Sequence, residues 1–512
     1  YFLSSSIFSQ DRHWVFFTDK AGVDFDPYAY FDVKTIQRRK SQGIPLNQYT
    51  DRPVKSSYIN AVKSYSNKVV SESRWLNAVL VEAKDDQLHH ITSLPFVKSV
   101  QKVRNRKVEF NGNANEIPVL SEKDQDLMER QLDRFGDSLF QRAGINGQGV
   151  RIAVFDAGFT NVNKNPFFKH LFEEERIKVT YDFIREQEDV YGKSSHGTMV
   201  LSCIAGLYGD KRTGLATGAE FLLARTEHNY LEPYSEEENW FEAVEWADKH
   251  GADIISSSLG YTYKRYFKQE MDGEGSLVNK AAKIAARKGI LVVVSMGNDG
   301  GNKWKVLGTP ADTDSILSIG GLHPETGMHT SFSSFGPTAD MRMKPNLTAF
   351  GHVIAASPFG LMKTQGTSFS TPLIAGFAAC VWQMHPEWSN IELIEKLSES
   401  GDLYPYYDYA HGYGVPQASY FMGMEMQPEI ERLEYKIDED KISVHFGSLK
   451  GLELAHYQYM FYHIADKEGV LKKYAIIRPK ENSNFTIYFK DKYSGYKLRI
   501  YYAGQTREIS IP

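Results

Sequence analysis

The chain has 512 residues, of which 42% are hydrophobic and 24% are charged, a composition that excludes a disordered or collagen-like protein. At roughly 100–200 residues per domain, this length predicts about two to four domains. The 59 basic residues stand against 64 acidic ones, giving a net charge of -5 and no strong basic field. We therefore expect no nucleic-acid partner.

No apolar run reaches the ~18 residues that a membrane-spanning helix needs, so we expect no membrane span. Cys203 and Cys380, the two cysteines, lie in apolar stretches and lack the spacing of a metal site. We expect both to be small buried core residues, which leaves the redox compartment open. Because the chain begins with Tyr1 and not with Met, we expect a processed N-terminus with any secretion signal upstream.

The first hundred residues mix strand-like and helical patterns. A basic helical pattern covers residues 33–40, and a second helical pattern covers residues 85–94. Strand-like apolar runs occupy residues 14–17, 67–71, 75–83 and 97–103. Residues 111–118, rich in Asn and Gly, then have the composition of a linker. We therefore predict an N-terminal α+β domain over residues 1–115.

The middle of the chain alternates buried-strand and helix patterns. Runs such as residues 152–155 and 290–294 are wholly apolar, which indicates strands buried on both faces. Helical patterns at residues 236–250 and 277–288 separate such strands. This order predicts an α/β domain over residues 116–424, built on a parallel sheet with helices on both faces.

After Pro428 the hydrophobic pattern changes to a period of two, as in residues 442–446, 485–489 and 496–501. This period is typical of antiparallel strands that have one buried and one exposed face. Residues 425–512 are therefore predicted to form a small C-terminal β-sandwich. No function can be inferred for it from the sequence.

Three segments place a reactive residue at the predicted end of a strand or start of a helix. Asp156 ends the strand in Ile-Ala-Val-Phe-Asp-Ala-Gly, His196 opens an apolar helix beside Gly197, and Ser368 starts a helix in Gly-Thr-Ser-Phe-Ser-Thr-Pro. Each of them alone has an ordinary structural explanation. Together they supply a nucleophile, a general base and the carboxylate that orients the base.

These segments, in the chain order Asp, His, Ser, resemble the three active-site signatures of the subtilisin-like serine proteases. The resemblance runs from about residue 144 to residue 418, with further matches at residues 257–260, 295–298, 309–311, 331–337 and 412–414. It implies that Ser368 forms the acyl-enzyme, that His196 acts as base and then acid, and that Asp156 orients His196. It also implies that Asn298 and the backbone N–H of Ser368 stabilise the oxyanion.

The same resemblance implies a substrate cleft along whose two edges an extended polypeptide pairs. One edge is Ser258-Leu259-Gly260 and the other is Ser295-Met296-Gly297. Met296 stands where the family usually has a small residue, so the family does not predict the preferred P1 residue. Met199 replaces a second histidine of the family and Asn346 replaces an aspartate, but neither belongs to the three catalytic candidates.

Calcium-binding relatives carry an Asn-rich loop in the region that corresponds to residues 206–218. Here that segment contains Asp210 as its one carboxylate. We therefore expect no metal site and no cofactor.

The order of strands and helix over residues 67–103 resembles the ferredoxin-like prodomain of subtilases, which packs on the protease and lays its tail through the cleft. The resemblance implies a zymogen whose prodomain is an intramolecular inhibitor, with residues 103–118 extended through the cleft. Candidate cleavage positions include Arg104, Arg106 and Lys107. The alternative is a permanent accessory domain.

The sequence thus predicts a secreted serine endopeptidase, released or held at the cell surface or in the periplasm, that hydrolyses polypeptide substrates. The alternative from another class is a non-catalytic binding or adhesion protein on a protease scaffold, which would need a damaged active site. A lipase-like esterase is excluded, because it would need a G-x-S-x-G motif and the chain order Ser, Asp, His.

Overall fold

The structure is a computed structural model. It describes residues 11–103, 121–228, 234–262, 265–424, 433–438, 440–448, 455–489 and 493–511. We refer to residues 11–103 as the N-terminal unit, to the described residues from 121 to 424 as the central unit, and to those from 433 to 511 as the C-terminal unit.

The N-terminal unit is an antiparallel sheet with helices on one face. Its elements are β1 (Arg12–Phe17), α1 (Pro27–Tyr30), α2 (Val33–Ser41), α3 (Ser56–Tyr65), β2 (Lys68–Ser73), β3 (Ala78–Glu82), α4 (Asp85–Thr92) and β4 (Val97–Lys102). The strands pair in the order β2-β3-β1-β4. With α3 and α4 as the crossing helices, this is the predicted ferredoxin-like arrangement.

Both faces of this sheet are covered, because successive residues of a strand point to opposite sides. Val15 and Val79 pack in a core with Ile91 of α4. Trp14 and Leu80, on the other side, pack into a core of the central unit. Burial on two sides explains why the apolar run of β3 shows no polar alternation.

The central unit is built on a seven-stranded parallel sheet. The strands of the whole central unit, including those outside this sheet, are β5 (Arg151–Asp156), β6 (Ile177–Asp182), β7 (Leu207–Tyr208), β8 (Lys211–Arg212), β9 (Glu220–Arg225), β10 (Ile254–Ser257), β11 (Leu291–Ser295), β12 (Leu317–Leu322), β13 (Leu347–Phe350), β14 (His352–Ser357) and β15 (Gly360–Gln365). The sheet order is β13-β12-β11-β10-β5-β9-β6, and β7-β8 and β14-β15 are two separate hairpins. The predicted α/β class is confirmed.

Helices cover both faces of this sheet. They are α5 (Glu122–Asp133), α6 (Asp137–Arg142), α7 (Lys169–Glu173), α8 (His196–Ala205), α9 (Ser235–Lys249), α10 (Leu277–Arg287), α11 (Thr367–Met384), α12 (Asn390–Glu399) and α13 (Ala418–Phe421). Val293 of β11 packs in the core that contains α8 and α11, whereas Val292 and Val294 pack in the core that contains α9 and α10. Strands buried on both sides are what the wholly apolar runs predict.

The C-terminal unit is a β-sandwich, as predicted. One sheet holds β16 (Glu434–Ile437), β17 (Lys441–Phe446) and β20 (Ser483–Tyr488), and the other holds β18 (Met460–Ala465), β19 (Leu471–Ile477), β21 (Lys497–Tyr502) and β22 (Gln505–Ser510). Val444 and Phe446 of the first sheet share a core with Ile464 and Ile500 of the second.

A tyrosine-rich surface of the central unit receives the sandwich. Tyr406 packs in a buried cluster with Phe461, and Tyr407 packs in another with Leu471. The ring of His463 donates a hydrogen bond of 2.6 Å from Nδ1 to the carbonyl of Tyr407. The sandwich is thus joined to the central unit by buried side chains.

Both cysteines are buried and free, as predicted. Burial raises the pKa of the Cys203 thiol and that of the Cys380 thiol to about 12. Within the described part of the chain, we find no helix whose length and apolar character would let it cross a bilayer.

Candidate active site

Asp156 and His196 form a hydrogen-bonded pair at the carboxyl end of β5. Asp156 is the last residue of that strand and its side chain is fully buried. His196 is the first residue of α8, and its Nδ1 lies 2.9 Å from each carboxylate oxygen of Asp156. The backbone N–H of Ala157 donates to the same carboxylate at 2.7 Å. A carboxylate held in this way fixes the ring orientation and puts the proton on Nδ1, which leaves Nε2 free to accept a proton.

Gly197 makes this pair possible. A Cβ at position 197 would lie 2.5 Å from the carbonyl oxygen of Gly158 and 2.9 Å from the Cβ of Asp156. Any side chain would therefore push the start of α8 away from β5. The glycine of the His-Gly dipeptide is needed for the close approach of the two elements.

The charge of Asp156 alters the acidity of His196. Burial alone would lower the pKa of His196, but the carboxylate and its hydrogen bonds outweigh burial, and the pKa lies above its ordinary value of 6.5. The imidazole remains reachable, since 33% of its side-chain surface is exposed. The ring can therefore take up a proton from a neighbouring group.

Ser368 lies in the first turn of α11, beside the carboxyl end of β10. Its hydroxyl donates to the carbonyl of Ser258 at 3.4 Å, and the Ser258 hydroxyl donates to the Ser368 carbonyl at 2.7 Å. The ring of the next residue, Phe369, lies 5.5 Å from the ring of His196, measured between centroids. The first turn of α11 is thus next to His196, although the Ser368 hydroxyl is bonded to Ser258 and not to the imidazole.

Two hydrogen-bond donors lie beside Gly366, on the side where another residue would carry its Cβ. A Cβ built at this position would lie 3.5 Å from Nδ2 of Asn298 and 3.7 Å from the backbone nitrogen of Ser368. The φ of Gly366 is +141°, a conformation that favours glycine. Asn298 and the Ser368 N–H therefore flank one small space beside the serine, as an oxyanion site requires.

A cleft of about 420 Å³ opens beside these residues. Asn298 and Ser368 line it, together with both predicted edges, Ser258-Leu259-Gly260 and Ser295-Met296-Gly297. Met296 is fully buried and packs in the core that contains α9 and α10, so its side chain does not fill the cleft.

Comparison with known proteins assigns the chain to a family. The sequence profile of the subtilase family matches residues 147–414, which is more than half of the chain. The chain belongs to the subtilase family. A second profile, that of the peptidase S8 propeptide domain of Bacteroidota, matches residues 12–117 of this subtilase.

The relatives of this subtilase include bacterial subtilisins. Subtilisin E of Bacillus subtilis (strain 168) is 27% identical over 276 residues, which cover 53% of this chain and 65% of that protein. Alkaline elastase YaB of Bacillus sp. (strain YaB) is 25% identical over 274 residues, covering 52% and 64%. The match spans less than two thirds of the length of either relative. A crystal structure of MycP1 from Mycobacterium smegmatis superposes with a TM-score of 0.47 at 20% identity, covering 60% of this chain and 88% of that one.

Sequence reasoning about this subtilase missed several residues of the site. Thr367 was seen only as part of the Gly-Thr-Ser motif, yet its N–H and hydroxyl hold the amide of Asn298 at 3.0 and 3.1 Å. The sequence feature that could have indicated this role is the position of Thr367 between Gly366 and Ser368. The cleft is also lined by Glu227, Tyr261, Thr262, Asp299 and Gly308.

Two expectations about the surroundings of the site stay predictions. The predicted tail through the cleft lies outside the described residues beyond Val103, and so do Arg104, Arg106 and Lys107. Residues 206–218 contain the short hairpin β7-β8, with Asp210 exposed at its turn. Within the described residues no group of three or more His, Cys, Asp or Glu side chains is arranged to hold a metal ion. Independence from calcium stays a prediction.

Proposed function

We propose that this subtilase is a serine endopeptidase made as an autoinhibited zymogen. The observation that carries the proposal is that Ser368 and Asn298 line one cleft while the Asp156–His196 pair lies beside the helix turn that carries Ser368. These groups come from four separate places in the fold, namely the end of β5, the start of α8, the segment after β11 and the start of α11. A structural role for any one of them would not require the others beside it.

The chemistry follows from the positions of these atoms. Ser368 Oγ attacks the carbonyl carbon of the peptide while Nε2 of His196 takes the hydroxyl proton. The negative charge that develops on the carbonyl oxygen is met by Nδ2 of Asn298 and the N–H of Ser368. His196 then protonates the leaving amine, and water attacks the acyl-enzyme by the same route. Asp156 keeps the proton on Nδ1 and stabilises the imidazolium throughout.

The present bond of the Ser368 hydroxyl is consistent with a resting enzyme. At 3.4 Å its bond to the Ser258 carbonyl is long, so a rotation about one side-chain bond releases the hydroxyl toward His196. Catalytic hydrogen bonds often tighten only when substrate is bound.

Substrates of the proposed enzyme are extended polypeptides. They pair with the backbone of Ser258-Leu259-Gly260 on one side and of Ser295-Met296-Gly297 on the other. The N-terminal unit is the inhibitor of the uncut chain, with its tail as a tethered occupant of the cleft. We also propose domain boundaries near residues 115 and 424, and secretion to the cell surface, the periplasm or the medium.

An activity-based probe tests the proposal directly. We expect a fluorophosphonate to label the chain at Ser368 once the linker between the N-terminal and central units has been cut. Ser368→Ala and His196→Ala should abolish labelling, and peptide hydrolysis should fall by about 10⁶-fold, as in subtilisin itself. Ser370→Ala is the matched control, because this buried serine of the same helix bonds to the Phe350 carbonyl and not to the cleft.

Loss of labelling in the unaltered, cut chain would contradict the proposal. It would favour the alternative function, a binding or adhesion protein on a protease scaffold. Equal labelling of the Ser368→Ala variant would contradict the assignment of the nucleophile.

A further inference from the structure

Part of the N-terminal unit reaches far from the cleft. We name residues 32–51, which contain α2, the clamp. It contacts the ends of α9 and α10 and the residues that lead into β10 and β11. The cleft lies at the carboxyl ends of these same parallel strands, so the clamp and the cleft are at opposite ends of the sheet. A ferredoxin-like sheet does not itself require such a segment.

The clamp shares a buried ionic network with the central unit. Arg39 donates to Asp51 within the clamp at 2.6 and 3.1 Å and to Asp248 of the central unit at 2.6 Å. Arg38 is paired with Asp248 as well, and Lys288 of the central unit is paired with Asp51. The side chains of all five residues are at most 2% exposed. A network of this kind is complete only while both units are in place.

The clamp also supplies hydrogen bonds to backbone carbonyls at the ends of two helices. Thr35 donates to the carbonyl of Asp248 at 2.5 Å, at the end of α9. Arg38 donates to the carbonyl of Lys288 at 3.3 Å, and Gln42 donates to that of Gly289 at 3.1 Å, both just after α10. The last carbonyls of a helix lack intrahelical partners and attract cations. The clamp therefore caps both helices from outside the central unit.

Two glycines of the central unit leave room for the clamp. A Cβ at Gly251 would lie 2.7 Å from the Cβ of Lys34, and a Cβ at Gly289 would lie 2.5 Å from Oε1 of Gln42. Both glycines have positive φ, near +80°, at the ends of helices. The central unit thus fits the clamp in shape as well as in charge.

A second contact joins the units through apolar packing. Trp14 and Leu80 of the N-terminal sheet lie in one core with Val244 of α9. Trp75 meets Phe241 edge to face, with ring centroids 6.1 Å apart. The N-terminal unit is therefore held at two places, its sheet face and the clamp, and neither involves the linker or the cleft.

We infer that the N-terminal unit remains on the central unit as a lasting subunit after the linker is cut, with the clamp as the contact that keeps it there. This inference rests on the proposed function only in its consequence, which is that activation needs the linker to be cut and not the whole unit to leave the protein. The buried pairs between the units serve less to add net stability than to slow separation, because parting takes Asp248 and Lys288 of the central unit away from their ionic partners.

The test uses the full chain with Ser368→Ala, so that the protein cannot digest itself. A recognition sequence for an added, sequence-specific protease is placed among residues 104–117, and the protein is cut there at pH 6.5. It is then diluted to nanomolar concentration and followed for a day by size-exclusion chromatography and native mass spectrometry. We expect one species that contains both pieces. Separation into two species on dilution would overturn the inference.

Clamp variants show which contact retains the unit. Arg38→Met combined with Arg39→Met should raise the rate of separation by about 100-fold. Arg52→Met is the control, since it makes the same arginine-to-methionine change, once, at a side chain that bonds to Asn47 of its own unit. If the double variant does not fold, Thr35→Val and Gln42→Ala each remove one bond to a central-unit carbonyl without changing the charge. Retention as firm as in the unaltered chain would exclude the clamp as the cause.

A last measurement separates this inference from the proposed function. In the chain that keeps Ser368, the cut protein should react with a fluorophosphonate while both pieces still elute together. Retention without labelling would count against the proposed activity alone. Labelling only of a central unit that has lost its N-terminal piece would overturn the inference alone.

Discussion

Thr367 and Asn298 are joined through a single oxygen. The backbone N–H and the hydroxyl of Thr367 both donate to Oδ1 of Asn298, at 3.0 and 3.1 Å. Two donors on one side of an amide fix which end is the oxygen, so Nδ2 is directed to the space beside Gly366. The threonine thus orients the amide of the proposed oxyanion donor.

Replacing either residue should affect the transition state and not substrate binding. We expect Asn298→Ala to lower kcat by about 10²–10³-fold with little change in KM, as in subtilisin. Thr367→Val keeps the volume and the backbone N–H but removes the hydroxyl, so it should lower kcat by about tenfold. Steady-state kinetics on a peptide substrate measure both. A rise in KM at constant kcat would contradict the assigned role.

Gly197→Ala should damage catalysis from a position that carries no reactive group. The new Cβ would lie 2.9 Å from the Cβ of Asp156, and relief of this clash must move α8 and its His196. Because a displacement of about 1 Å can cost ~100-fold, we expect kcat/KM to fall by about that factor. Gly192→Ala is the control, since a Cβ there has no neighbour within 4 Å. Equal activity of the two variants would show that the close approach is not needed.

The loss of activity at acidic pH should follow the protonation of His196. The base must be neutral to accept a proton, and the pKa of His196 lies above 6.5 because the Asp156 carboxylate favours the charged ring. Activity should therefore be low below that pH and rise through the pKa. Asp156→Asn removes the charge, so the midpoint of kcat/KM against pH should move to lower pH while the rate falls. An unchanged midpoint in that variant would contradict the coupling.

Retention of the N-terminal unit should weaken as the pH rises. Burial raises the pKa of Glu245 to about 7, although Ser73, Arg74 and Trp75 bond to its carboxylate. Burial also raises the pKa of Glu238 to about 7 against the pull of Arg12.

If the pKa of these two glutamates is higher while the N-terminal unit is bound to the central unit, the bound state holds more protons than the separated units do. The contribution of these protons to binding between the two units is fully present below the ordinary glutamate pKa of 4.5. It is lost as the pH rises to about 7. We expect the dissociation constant of the cut Ser368→Ala protein to rise by at least about tenfold between pH 5 and pH 8. Glu245→Gln should flatten this dependence. If the dissociation constant of the cut Ser368→Ala protein, with Glu245 in place, does not change with pH, the prediction is refuted.

The sequence predicts the elements that local pattern determines. β5 and β11 were recognised because their apolar runs need no partner to be identified. The starts of α8 and α11 were recognised because His196 and the Thr367-Ser368 pair follow glycine or serine at a helix boundary. β6 was missed, since this edge strand alternates apolar residues with Lys178 and Thr180 and has no continuous apolar run.

Long-range contacts account for the other differences. The basic pattern of α2 indicated a helix but not the burial of Arg39, whose partner Asp248 lies 209 residues further along the chain. Residues 75–83 were predicted as one strand, yet the strand begins at Ala78, because the N–H of Trp75 donates to Glu245 of the central unit at 3.2 Å. The burial of the Met296 side chain in the core also could not be predicted, because the sequence does not show toward which side a residue after a strand points.

The tyrosine-rich surface under the C-terminal sandwich has a consequence for biosynthesis. Leu403, Tyr406, Tyr407 and Tyr409 are covered by residues of β18, β19 and β21, which leave the ribosome after the whole central unit. Until those strands are synthesised, a central unit that has already folded exposes an aromatic patch that favours aggregation. The solubility of the nascent chain therefore depends on the synthesis of the C-terminal unit.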